Sequence, residues 1–206
     1  GRGGTVGAPL ARETHLRMPV QAIDALRKAL NFADASPVMR KLRMVKSEHE
    51  IAKIAHVCSL VSNAFDRAPD LFAEGQSDIE AFRDFKIECL RQGVDDVSYL
   101  VGGAGPGGYS DIISPPAGRA LERGDVLILD TGCVHDGYFS DFDRNFAIQK
   151  TDEATQRAYD TVYRATEAGL AAAKPGATSA DLFQAMQEVL EAGAVSYTHL
   201  TLPTKA

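Results

Sequence analysis

The chain has little cysteine, no surplus of positive charge and no long apolar run, and each shortage removes a class of function. Its three cysteines, Cys58, Cys89 and Cys133, are odd in number and far apart. They form no Cys-x-x-Cys pair for zinc or redox work, so they read as free thiols in a reducing cytoplasm. Lys and Arg number 22 against 28 Asp and Glu, a net charge of -6, and the basic residues are scattered. Phosphate binding needs a concentrated positive field, which argues against DNA or RNA as a partner. No stretch approaches the ~20 apolar residues needed to span a bilayer. No signal-peptide core follows Gly1-Arg2-Gly3-Gly4. The expected location is therefore cytoplasmic, without membrane association. What remains is a 206-residue chain, 45% apolar, long enough to bury one substantial core, or one domain and a piece of a second.

Periodicity divides the chain into blocks. Residues 20–30 carry one apolar-periodic piece after a loop-like opening. Pro37 begins a helical stretch to about Arg43, and Ser47 with Glu50 forms a capping box in which each side chain satisfies the other's backbone donor. Ile51, Ile54, Ala55, Cys58, Val61 and Phe65 follow at helical spacing. A second capping box, Ser77 with Glu80, opens a helix that Gly93 closes. Between residues 94 and 148 the pattern changes to glycine, proline and short β-like runs, residues 126–129 being the strongest. Thr151 is placed to cap a helix to about Ala173, Pro175-Gly176 breaks it, and Ser179–Ala192 reads as a last helix before Gly193. Helices and strands in separate blocks predict an α+β fold.

One stretch carries chemistry: Gly124-Asp125-Val-Leu-Ile-Leu-Asp130-Thr-Gly-Cys-Val-His-Asp136-Gly137-Tyr-Phe-Ser-Asp141-Phe-Asp143-Arg144. Asp136-Gly137 is a strong two-residue hairpin signal. If it forms the turn, His135 faces Tyr138, Asp130 faces Asp143 and Gly132 faces Asp141. Side chains opposite each other, or two apart on a strand, share a face, so Asp130, Asp141 and Asp143 project from one side. Diagonal partners such as Asp130 and Asp141 then start about 7 Å apart, a span that cations bridge. Gathered carboxylates repel, and without compensation one takes up a proton. A pair of divalent metals removes that cost and performs the hydrolytic chemistry of many aminopeptidases. All-oxygen ligands favour hard ions, manganese ahead of zinc, with cobalt and iron as further candidates. Parity alone does not choose between Asp141 and Asp143, and the alternative reading is that the acids are solvated turn residues.

This string, with Asp130 and Asp141 eleven apart, Gly132 after the first and Gly137-Tyr138 before the second, resembles the metal-binding hairpin of the pita-bread metallohydrolases. That is the M24 family of Xaa-Pro aminopeptidases, prolidases and creatinase. Arg43-Met-Val-Lys46-Ser47-Glu-His-Glu50-Ile51 resembles the opening of the same domain, and residues 174–193 resemble its mid-domain helix pair. The resemblance implies a pita-bread fold of which only the first half is present. Residues 1–36 would end an amino-terminal creatinase-like domain, and residues 37–193 would form the first part of the catalytic domain. It implies Asp130 as a ligand to one metal through both oxygens and Asp141 as a bridge between two. The remaining ligands, a His and two Glu, would lie outside this chain. The implied activity of the parent is cleavage of an amide-type bond in a peptide or small molecule by metal-bound hydroxide, in a homodimer. The chain as it stands is expected to be inactive, with no catalytic residue assigned within it. One departure stands inside the matched part: the family places a substrate-contacting His about a dozen residues before Asp125, and Ile113 occupies roughly that place.

Weaker signals accompany these. Residues 195–204 are what one frame of a transposon adapter used in sequencing-library preparation encodes, so residues 194–206 are expected to be a non-native tail in which His199 has no function. Asp130-Thr131-Gly132 has the look of an aspartic-protease loop, the remote alternative. The glycines of Gly102-Gly103-Ala-Gly105-Pro-Gly107-Gly108 suggest a flexible loop over an active-site mouth, since Pro106 opposes the helix a dinucleotide site needs. His49, Glu50 and His56 miss the spacing of a His-Glu-x-x-His zinc motif and read as helix-surface residues. Arg144 is expected to be a structural ion-pair partner. The rival from another class is a non-catalytic binding module on the same fold.

Overall fold

A computed structural model describes residues 4–11, 16–109, 111 and 113–193. The tail at 194–206, with His199, lies outside the described residues, as do Gly1 to Gly3. The chain forms two compact units, residues 1–55 and 56–206. No described helix is long and apolar enough to cross a membrane.

The first unit opens with strand β1 (Thr5–Ala8) and helix α1 (Val20–Arg27), three residues shorter than its apolar period. Strand β2 (Asn31–Asp34) then pairs parallel with β1, and helix α2 (Ser36–Met44) follows. Neither strand was legible in advance, because each has four residues and no apolar alternation. A polar knot closes this unit. Asp34 accepts hydrogen bonds from the Ser36 amide at 3.0 Å and hydroxyl at 2.6 Å, and the buried Ser36 Oγ accepts from Leu10 and Ala11 amides at 3.1 and 3.0 Å. The Ser36 bonds hold the Asp34 carboxyl below its ordinary range.

Helix α3 (Glu48–Arg67) starts at the expected box, Ser47 N donating to Glu50 at 2.7 Å. The division between units falls within this helix. In the second unit its core-facing residues are Val57, Val61, Ala64 and Phe65. Val57, outside the expected stripe, is buried, whereas Ile51, within it, is exposed. Helix α4 (Asp78–Gln92) has both halves of its capping box and ends on Gly93 in the left-handed conformation, φ 106°. Strands β3 (Asp96–Pro106), β4 (Asp125–His135) and β5 (Tyr138–Ala147) form an antiparallel meander with β4 central. One face of that sheet packs Leu127, Leu129 and Cys133 into the core with Val61, Phe65, Phe85 and Cys89, and Phe142 and Phe146 pack against them. The Phe65 ring lies 4.7 Å from that of Phe85 and 5.4 Å from that of Phe142. Helices α5 (Glu153–Ala172) and α6 (Ser179–Ala192) complete the unit. Asp152, not Thr151, caps α5, accepting from the Thr155 amide at 2.7 Å; a carboxylate there also meets the positive end of the helix dipole.

The glycine run is the main correction. Gly102, Gly103 and Gly105 lie inside β3 and not in a flexible loop. A Cβ on Gly102 would stand 2.0 Å from the Ile128 carbonyl oxygen, and one on Gly105 2.3 Å from that of Gly108. These residues are glycine because neighbouring backbone approaches too closely for any side chain. The segment after β3 is tied down as well. Asp78 accepts from the Ala117 and Gly118 amides at 3.1 and 2.8 Å, and buried Asp125 is held by both arms of Arg119.

Candidate metal centre

The Asp136-Gly137 turn positions the acids. Both residues adopt positive φ, 48° and 78°, the left-handed pair that a two-residue hairpin requires and that Asp-Gly accepts at least cost. With the turn fixed at two residues, His135 pairs with Tyr138, Gly132 with Asp141 and Asp130 with Asp143. This is the register read from the sequence. Alternation then places Asp130, Asp141 and Asp143 on the face opposite Leu127, Leu129, Phe142 and Phe146. Asp130 is partly buried and the other two are exposed.

Burial pushes the Asp130 carboxyl above its ordinary range, and the charges of Asp143 and Asp141 push it further. The sign follows from linkage. A carboxyl raised in the folded state costs stability at neutral pH, and that cost disappears as pH falls through its folded pKa. A bound cation would offset the same repulsion without a proton.

Tyr99 is the member of this face that sequence reasoning missed. Its phenol donates a hydrogen bond to Asp141 Oδ1. It reaches that oxygen by crossing the central strand at Gly132, where a Cβ would fall 2.1 Å from Tyr99 Cε1. Burial raises the phenol's pKa and the bond to Asp141 raises it further, so Tyr99 remains a protonated donor at neutral pH. The signal was present in the sequence as a glycine facing an aromatic residue across a strand pair, an arrangement in which the ring covers the gap.

Other candidates fall elsewhere. Asp130-Thr131-Gly132 lies in mid-strand, paired on both sides, which does not match the loop of an aspartic protease. Among the described residues Arg144 has no ion-pair partner, and its side chain donates to the Asp143 carbonyl at 2.6 Å. Its guanidinium stands over the rings of Phe142 and Phe65, 5.1 and 5.7 Å from their centroids, a cation–π arrangement on the core side. Ile113 is exposed between β3 and β4, its amide donating to Asp111 at 3.0 Å. His56 is exposed on α3.

The donors on the acid face suit a hard divalent ion: they are all oxygen, and their unbalanced charge is the cost a cation relieves. They are also few. Among the described residues, no group of three or more His, Cys, Asp or Glu side chains is gathered closely enough to hold a metal. Asp130 and Asp141 do not by themselves make a complete metal site among the described residues.

The pattern that defines Metallopeptidase family M24 matches residues 52–202, and so runs into the adapter-like segment. A Mycobacterium tuberculosis protein named "Probable dipeptidase PepE" is 30% identical over 201 residues, covering 93% of this chain and 52% of its own length. The Xaa-Pro dipeptidase of Pyrococcus horikoshii is 29% identical over 178 residues, covering 80% and 48%. The structure of prolidase from Pyrococcus furiosus superposes with a TM-score of 0.77 at 21% identity, covering 93% of this chain and 56% of that one. The chain thus spans about half the length of the relatives it matches. With the family pattern over most of its length and the pita-bread fold shared with solved prolidases, the chain belongs to metallopeptidase family M24.

Proposed function

We propose that this chain is the part of a longer M24 hydrolase that contributes Asp130 and Asp141 to a divalent-metal centre, the whole protein cleaving the amide bond of Xaa-Pro dipeptides. The observation that carries this reading is the hairpin register, which delivers both acids to one sheet face. Support for the substrate class comes from the relatives, of which those from Pyrococcus horikoshii and Pyrococcus furiosus are named Xaa-Pro dipeptidases. When bound, such ions supply Lewis acidity and lower the pKa of water toward neutrality. The residues of this chain do the remainder. Asp130 and Asp141 hold negative charge at fixed positions on a rigid strand pair, and Tyr99 fixes the orientation of the Asp141 carboxylate by donating to one oxygen. We further propose that residues 1–36 end an amino-terminal domain, that residues 37–193 are the first part of the catalytic domain, and that manganese is the preferred ion. The isolated chain should show no peptidase turnover, since two carboxylates do not complete two coordination spheres.

The test is hydrolysis of an Xaa-Pro dipeptide by the longer reading frame and by its Asp130→Ala and Asp141→Ala variants. Each variant is expected to lose at least about a hundredfold in kcat/KM, comparable with the loss of other transition-state stabilisers. Unchanged turnover in either folded variant removes that residue from the centre. Full turnover by the isolated chain would remove the claim that the other ligands come from elsewhere.

A further inference from the structure

A second cluster of donor groups lies on the other side of the sheet, at the turn end of the hairpin. His56 on α3 and His135 at the end of β4 meet with ring centroids 4.9 Å apart and planes at 71°. His135 is five positions beyond Asp130 on the same strand. At roughly 3.3 Å per residue it lies about 16 Å along, and odd separation puts it on the opposite face. The two features are independent of each other.

The surroundings of His135 determine which nitrogen is available. Nδ1 lies 3.1 Å from the Gly93 carbonyl oxygen and 3.5 Å from Asp95 Oδ1. Both neighbours are acceptors only, so in the neutral ring Nδ1 carries the proton and Nε2 the lone pair. Asp95 is itself fixed, its other oxygen accepting from the Asp136 amide at 2.6 Å. A ring nitrogen tied to a carbonyl and a carboxylate, with the opposite nitrogen open, is the arrangement that orients histidines bound to metals. Neither His135 Nε2 nor either His56 nitrogen has a hydrogen-bond partner among the described residues, and His56 is exposed. The spacing agrees. With metal–nitrogen bonds of about 2.0–2.1 Å and the ring centre about 1.1 Å further on, two imidazoles on adjacent positions of one ion have centroids about 4.5–5.1 Å apart.

We propose that His56 and His135 form a binding site for a borderline divalent transition ion of the zinc and nickel class, two imidazole nitrogens filling adjacent positions and water the others. It is a two-ligand, solvent-facing site, chemically unlike the all-oxygen acid face. Imidazole suits zinc and nickel, whereas carboxylates suit manganese and magnesium, so the two sites sort ions by ligand type.

The experiment is titration of the whole chain with zinc chloride at pH 7.5, followed by calorimetry and by imidazole nitrogen NMR. The Asp130→Asn/Asp141→Asn double variant serves as a control for the acid face. His56→Ala and His135→Ala are each expected to weaken the zinc isotherm about tenfold or more. The double acid variant should retain it. His56 is exposed, so its variant tests binding without disturbing the core. In the unmutated chain, zinc should shift the His56 and His135 Nε2 resonances together. Zinc affinity unchanged in both histidine variants, or zinc shifts confined to other imidazoles, would overturn the site. Zinc binding lost in the double acid variant alone would assign it to the acid face instead.

Discussion

Alanine at position 102 should destabilise the second unit by about 3 kcal/mol, the upper end of what an overpacked position costs. Two effects add at this residue. Its φ is 151°, a conformation that side-chain-bearing residues rarely adopt. Its Cβ would stand 2.0 Å from the Ile128 carbonyl oxygen and 3.0 Å from the Ile128 carbonyl carbon. Backbone cannot move aside as a flexible side chain can, and Gly102 pairs with Leu129 in the central ladder, so relief requires parting β3 from β4. At roughly 2–4 °C per kcal/mol for a chain of this size, the thermal midpoint should fall by about 6–12 °C. Gly103→Ala is the control, since its Cβ would meet the Asp111 carbonyl oxygen at 3.0 Å without a positive φ, and it should cost less. Equal stability of Gly102→Ala and the parent chain would mean that this segment is the flexible loop its glycine content suggests.

Arg119→Ala should cost a similar amount at neutral pH by a different route. Asp125 is fully buried at the start of β4, and its carboxylate is held by both arms of Arg119, one at 3.0 Å, and by the Glu122 amide at 2.8 Å. Burial pushes this carboxyl up, but the Arg119 and Glu122 hydrogen bonds outweigh it and hold the group below its ordinary range. A depressed carboxyl stabilises the fold above its unfolded pKa of about 3.9, and that contribution is lost as pH falls through the lower folded value. Removing Arg119 leaves a buried charge with one amide for a partner, at a cost of about 3 kcal/mol. Burial then dominates, so the carboxyl protonates at higher pH and the acid-unfolding midpoint should move upward. Equilibrium urea unfolding at pH 7 and an acid titration followed by circular dichroism measure both. Loss of stability at pH 7 with an unmoved acid midpoint would show that Arg119 acts through packing and not through Asp125.

The hairpin was legible residue by residue because a two-residue turn leaves one register, and parity then assigns every face. Helix starts were legible for a similar reason: the boxes at Ser47 and Ser77 are local chemistry, complete within four residues. Failures occurred where a distant segment decides. Gly102 looks like a loop residue until Ile128 is placed against it, and the α3 stripe includes Ile51 until Phe85 and Phe142 define which side is the core. Asp152 replaced Thr151 as a cap through a one-residue difference that hydroxyl and carboxylate chemistry do not separate. Tyr99 went unread because its partner, Asp141, stands 42 positions away and is reached only across a missing side chain at Gly132. Arg144 was assigned by charge, whereas its neighbours across the fold are aromatic.

Anomalous diffraction from crystals soaked in millimolar manganese tests whether Asp130 and Asp141 are metal-binding carboxylates on one sheet face. Asp130 loses its repulsion with Asp141 and Asp143 only if a cation or a proton arrives, so soaking at neutral pH, where protons are scarce, should favour the ion. An anomalous peak is expected within bonding distance of oxygens from both Asp130 and Asp141, on the face opposite Leu129, with no such peak in crystals of the Asp141→Asn variant. Manganese bound elsewhere, with both carboxylates bare at saturating concentration, would contradict it.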